Sequence, residues 1–193
     1  MKEDTTAETV IHNIKYRRSI FPASYSDQEI SKDTLITLLE CANDAPTHKR
    51  TEPWRFTVFR KQGLVRLAEK LAEIYKDSVD NELFVQKKYD VTYEKVTQSS
   101  AVLAIVVNYS GKVPEWEELA AVSCAVQNIW LAAAAKGIGS YWSSPSSATQ
   151  LSEFLNLKEN QQCLGLFYMG YHSEAERESV RTPISEKITW IEG

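Results

Sequence analysis

Apolar residues recur at helical spacing in some stretches of the chain and alternate or run on in others. In the first segment, Glu8 to Arg18, Val10, Ile11 and Ile14 form a helix-like stripe. Ile20 follows it less strictly, and Pro22 stops the pattern. Ser31 suits the N-cap of a second helix, in which Leu35, Leu38, Leu39 and Ala42 fall at i, i+3, i+4 and i+7. That helix must end before Pro46. Trp54 to Phe59 is aromatic and β-branched with alternation, which predicts a strand. Beyond Gly63, the residues Leu64, Leu67, Ala68, Leu71, Ile74 and Tyr75 share one face of a third helix. Residues 79–98 are mixed and polar, and read as helical.

Ala101 to Val107 is a continuous, valine-rich apolar run, the pattern of a strand buried on both faces. Leu119 to Ala135 is apolar nearly all round and reads as a buried helix. Lys136 and Gly137 end it as a dipole-compatible cation and a C-cap glycine should. A short strand is expected at Ile138 to Trp142, a short amphipathic helix at Thr149 to Leu157, and a strand at Cys163 to Tyr171. Lys187 to Ile191 reads as a last extended piece. Helices and strands alternate without tandem hairpins, which predicts an α+β or α/β sandwich around one central sheet. No internal repeat or low-complexity linker divides the 193 residues, so 1–193 is read as one domain.

Composition narrows the classes. With 43% hydrophobic residues and a net charge of only −4, disorder is excluded as the main state. The same balance lacks the basic excess of a general nucleic-acid binder. Cys41, Cys124 and Cys163 form no CxxC pair and, with His12, His48 and His172, no zinc spacing. They read as small buried hydrophobes in a reducing compartment. The polar start MKEDTTAETV does not read as a signal peptide. Ser123, Gln127 and Asn128 argue against a membrane span at Leu119 to Ala135. The expectation is a cytoplasmic protein.

Three stretches carry candidate chemistry. Arg17-Arg18-Ser19 combines two guanidiniums with a hydroxyl, which suits bidentate phosphate binding. It equally suits a helix C-terminus that needs cations. Asp44 to Trp54 is a polar loop between Pro46 and Pro53, with His48, Lys49 and Arg50 as donors on a rigid scaffold. Helix termination and strand initiation would explain the same prolines. Trp142-Ser143-Ser144 offers a flat apolar surface beside backbone and hydroxyl donors, fit for an aromatic ring, or for a plain Ser/Pro turn. The acids of Val113 to Glu118 stand at the positive end of the apolar helix. No GxSxG, HExxH or Cys–His adjacency supplies a nucleophile or metal site. Chemistry carried by a cofactor is the reading left.

Taken in order, these segments resemble the nitroreductase family of flavin mononucleotide (FMN) oxidoreductases. The resemblance rests on Arg17-Arg18-Ser19, then Ala45-Pro46-Thr47-His48 and Glu52-Pro53-Trp54. It continues through the alanine-rich helix into Gly137-Ile138-Gly139, the strand Phe167 to Tyr171, and the tail Arg181-Thr182-Pro183. It covers essentially the whole chain, and the His48-Lys49 loop is similar to that of the small NAD(P)H nitroreductase branch. The resemblance implies an α+β fold with a mainly antiparallel sheet flanked by helices, and an intertwined homodimer with FMN at the subunit interface. It implies that Arg17 and Ser19, with Arg18 close by, hold the phosphate end, and that Arg181 joins them. By the same resemblance His48 approaches the flavin from the partner subunit, and Trp142, Ser143 and Ser144 line the ring. The implied reaction is a two-electron, ping-pong hydride transfer from NADH or NADPH to a nitroaromatic, quinone or similar acceptor. Thr47 and His48-Lys49 stand where most members have Pro-Ser and Asn, a difference that bears on substrate and ring-edge contacts. A non-enzymatic flavin carrier, a scaffold that has lost its cofactor, and another reaction on the same fold (flavin destruction, dehalogenation) are the alternatives.

Overall fold

A computed structural model describes residues 3–193. Its sheet is organised by the most continuously apolar segment, β2 (Ala101–Asn108), which has β1 (Trp54–Phe59) on one side and β4 (Gln161–Tyr171) on the other. Outside β4 lies β3 (Ile138–Ser143), giving the order β1-β2-β4-β3 with every pairing antiparallel. Successive strand residues point to opposite faces, so β2 sends Leu103, Ile105 and Val107 to one core and Val102, Ala104 and Val106 to another. The first core is closed by α2 (Lys32–Asn43) and α5 (Glu115–Ala135). The second is closed by α3 (Gln62–Asp77) and by Val96 of α4 (Gln86–Thr97). The expected α+β layering is present, and the 79–98 region is largely helical.

Local chemistry sets several boundaries as expected. The Ser31 hydroxyl accepts the Thr34 N–H at 3.1 Å and caps α2. Gly137, at φ 68°, donates its N–H to Ala134 O at 3.0 Å and closes α5.

Other expectations are corrected. The first helix, α1, spans Glu3–Tyr16, so Arg17 and Arg18 lie past its end. Val10, Ile11 and Ile14 are 54%, 51% and 52% exposed, because one chain offers that stripe no cover. Only one side of α5 is buried, through Ala121, Val122, Ala125, Val126, Ile129 and Ala133, while Trp116, Ala120, Ser123 and Gln127 face outward. A single sheet can cover only one side of a helix of 21 residues. By length and composition alone α5 is apolar enough to cross a membrane, a mark it shares with core helices, and here its inner face packs on the sheet. Thr149–Leu157 is not an amphipathic helix. A 3₁₀ turn at Ser146–Leu151 gives way to a compact loop, in which Asn156 takes φ 51°. In Lys187–Ile191 the backbone is extended at Ile188 (φ −121°, ψ 145°), but the segment joins no strand. Lys187 itself belongs to a 3₁₀ turn at Ile184–Lys187, and the outer edge of β3 already bridges to Ser19. Of the cysteines only Cys163 is buried, and burial pushes its thiol pKa up; Cys41 and Cys124 are half-buried.

The β2–β4 register shifts between Ile105 and Val106, opposite Gly165, which adopts φ 136°. A Cβ there would sit 2.3 Å from Ser143 O and 2.7 Å from Trp142 Nε1. Backbone strain and overpacking together predict that Gly165→Ala loses about 2–4 kcal/mol in urea unfolding. Parent-like stability would show that this strand crossing tolerates a side chain.

Candidate functional site

The chain leaves α1 and lies along the outer edge of β3. Ile20 N–H donates to Ser140 O at 3.1 Å, and Ser19 and Ser140 form a parallel bridge. The approach is close: a Cβ on Gly139 would lie 2.8 Å from Ile20 and 2.7 Å from His172. Tyr25 locks the segment from below, its hydroxyl donating toward Ile20 O (2.8 Å) and Tyr168 O (3.1 Å). Arg17 is thereby laid over the Trp130 ring of α5, with its guanidinium carbon 4.2 Å from the centroid. Asn13 ties α1 to α5 by donating to Leu131 O at 2.9 Å.

These contacts frame a cavity of about 290 Å³ walled by Arg17, Arg18, Trp130, Gly139 and His172. The pKa of Arg17 is lowered, first by burial and then by the charges of Arg18 and Arg181. Arg17 Nη1 and Arg18 Nε are buried without a hydrogen-bond partner. Among the described residues no carboxylate pairs with Arg17, Arg18 or Arg181. Two acids also line the cavity, each with a partner there: Glu174 with Arg177 at 3.4 Å and Glu176 with His12 at 3.2 Å. Unsatisfied donors and repelling cations in one partly dry place are the makings of an anion site.

From Gly139 in the cavity wall, β3 runs about 13 Å to Ser143 at the usual strand rise. Trp142 donates Nε1–H to Leu164 O at 3.3 Å, Ser143 is half-buried and Ser144 is exposed. Here sequence reasoning missed Lys95 of α4. Its Nζ donates to Ser143 Oγ at 3.3 Å and lies 4.9 Å and 4.8 Å from the Tyr141 and Tyr168 ring centroids. Trp130 and His172 were missed as well. Arg17, Arg18, Ser19 and, through its charge, Arg181 come together in the structure. Trp142 to Ser144 stand at the far end of the same strand.

Within one chain His48 is not brought to this cavity. Its Nδ1 lies 2.5 Å from Glu117 Oε2 near the start of α5. Thirteen residues of helix separate Glu117 from Trp130, about 20 Å.

The chain belongs to the nitroreductase family, whose model matches residues 14–171. It is 30% identical over 187 residues to a Bacillus subtilis (strain 168) protein named "Putative NAD(P)H nitroreductase YfhC", covering 91% of each chain. Among solved structures, the nitroreductase-like family protein from Bacillus cereus matches with TM-score 0.82 and 29% identity, over 95% of this chain and 96% of that one. The FMN-dependent nitroreductase NfnB from Mycobacterium smegmatis, solved in complex with NADPH, matches with TM-score 0.78 over 97% and 100% of the two chains. At 18% identity, that likeness is one of fold.

Lys95 gives a pH test. Burial lowers its pKa from the ordinary 10.5, so the unfolded chain keeps this proton to higher pH than the folded one. Stability should therefore rise as pH climbs through the lowered pKa toward 10.5. The useful window ends near pH 10, where Tyr25 and Tyr168, held protonated by burial, begin to act the other way. Urea unfolding at several alkaline pH values should show a flatter rise in Lys95→Met. The parent slope in that variant would assign the effect to another group.

Proposed function

We propose that the chain is an FMN-dependent oxidoreductase transferring a hydride from NADH or NADPH to a nitroaromatic, quinone or similar electron-poor acceptor, donor and acceptor using one pocket in turn. The observation that carries this reading is the buried, unpartnered Arg17 Nη1 among three guanidiniums that pair with no carboxylate among the described residues. A phosphate monoester answers both deficits, since it brings negative charge and several acceptor oxygens. FMN fits the remaining residues too. Ser19 adds a hydroxyl at the phosphate end, while Trp142, Ser143 and Ser144 give the ring a flat neighbour and polar edges. Lys95, held by Ser143, places a cation at that edge. The bound flavin would supply the two-electron chemistry. The chain's own contribution is to bind, orient and electrostatically bias the site.

The reading includes an intertwined homodimer with FMN at the subunit interface and His48 supplied by the partner subunit. Supporting it are the exposed stripe of α1, the outward side of α5, and an exposed tail with Val180 at 93%, Trp190 at 77% and Ile191 at 93%. Apolar surface so distributed along helices and an arm needs cover. The same chain in a second copy offers it symmetrically.

Replacing Arg17 by Ala should remove a charge-assisted contact worth about 1.5–3 kcal/mol, a loss in FMN affinity of roughly tenfold to a hundredfold. Fluorescence titration of apoprotein reads this directly, and unchanged affinity would refute the phosphate assignment. Analytical ultracentrifugation at low concentration should find a dimer of 21.9 kDa chains. A folded, FMN-loaded monomer would overturn the shared site.

A further inference from the structure

The loop carrying His48 is built at a conformational cost that chain reversal alone does not require. Lys49, Arg50 and Glu52 all take positive φ, at 51°, 53° and 44°. Residues other than glycine hold that region only when their surroundings force it, and such clusters mark places where a side chain must be aimed. The forcing contacts are visible. Thr47 Oγ1 accepts Glu52 N–H at 3.1 Å, Thr51 N–H donates to His48 O at 3.2 Å, and Lys49 Nζ donates to Lys112 O at 3.2 Å. This bracing sets His48 against the first turn of α5, with Nδ1 2.5 Å from Glu117 Oε2. The carboxylate is the more enclosed partner, 22% exposed against 57% for the imidazole. Among the described residues Nε2 has no hydrogen-bond partner, and the neighbouring Trp116 is 67% exposed.

We infer that Glu117 is a positioning residue for His48, presenting the Nε2–H of its imidazolium form to an oxygen atom of the electron acceptor. By taking the Nδ1 hydrogen it fixes ring orientation and the site of protonation. In the imidazolium form both nitrogens donate, Nδ1 to Glu117 and Nε2 to a nitro or quinone oxygen, where negative charge gathers on reduction. The inference rests on the oxidoreductase reading above and on His48 reaching a partner's site. The bland alternative is a surface ion pair at a helix start, which would have no reason to be presented by a braced left-handed turn.

The test uses the flavin-loaded protein, with p-benzoquinone as the acceptor probe and NADPH as donor. Glu117→Ala should raise the KM for p-benzoquinone roughly threefold to tenfold, the size of one lost hydrogen bond, at parent FMN content. Glu117→Gln, whose amide oxygen still accepts the Nδ1 hydrogen, should restore most of that loss. The double variant Glu117→Ala/His48→Ala should be no worse than His48→Ala alone. Independently of turnover, long-range ¹H–¹⁵N spectra should show His48 Nδ1 protonated in the parent and in Glu117→Gln, and the proton redistributed in Glu117→Ala. Parent-like KM and an unchanged imidazole spectrum in Glu117→Ala would overturn the inference while leaving the oxidoreductase reading standing. A parent protein whose flavin NADPH does not reduce would remove that reading and the inference with it.

Discussion

The site depends on residues 17–20 lying down against the open edge of β3. The bond from Ile20 N–H to Ser140 O and the missing Cβ of Gly139 let two stretches of backbone approach closely. That approach leaves Arg17 half-buried against Trp130, with its Nη1 covered. A guanidinium there would ordinarily be accompanied by a carboxylate, because a buried charge left unpaired is costly. This one has two more arginines nearby instead. In the proposed reading, half-buried cations gathered with no carboxylate paired to them among the described residues leave the counter-ion to a ligand.

In the proposed reading the same strand connects the phosphate end to the ring end. β3 begins at Ile138 beside the arginines and finishes at Ser143, where Lys95 arrives from α4. Tyr168 has a part at both ends, since its carbonyl accepts from Tyr25 and its ring lies under Lys95. Gly165 keeps the last residues of β3 clear of a side chain that would strike Ser143 O. Site and core are therefore coupled, so substitutions near the ring end carry a stability cost as well as a functional one.

Much of this was legible in the sequence where period and burial coincide. Leu35, Leu38 and Ala42 and the one-sided stripe of α3 each face one definite core, and the valine run of β2 is buried on both faces, as its pattern predicts. Arg17 to Ser19 could be picked out, but not distinguished from a helix terminus, because the distinguishing fact is the absence of a carboxylate in three dimensions. Lys95 was invisible for a similar reason. Its partner Ser143 lies 48 residues further on, inside another element. The stripe of α1, the outer side of α5 and the tail misled in the opposite sense, since their apolar residues promise burial that one chain does not provide.

The account's central claim is that the arginine cluster grips a phosphate monoester attached to a flat ring system. Comparing FMN with riboflavin, which has the same ring and side chain but no phosphate, isolates that grip in one titration of the apoprotein. FMN should bind at least about tenfold more tightly, as expected from one or more charge-assisted contacts, and the advantage should shrink as salt is added. Equal affinities for the two flavins at low salt would contradict it.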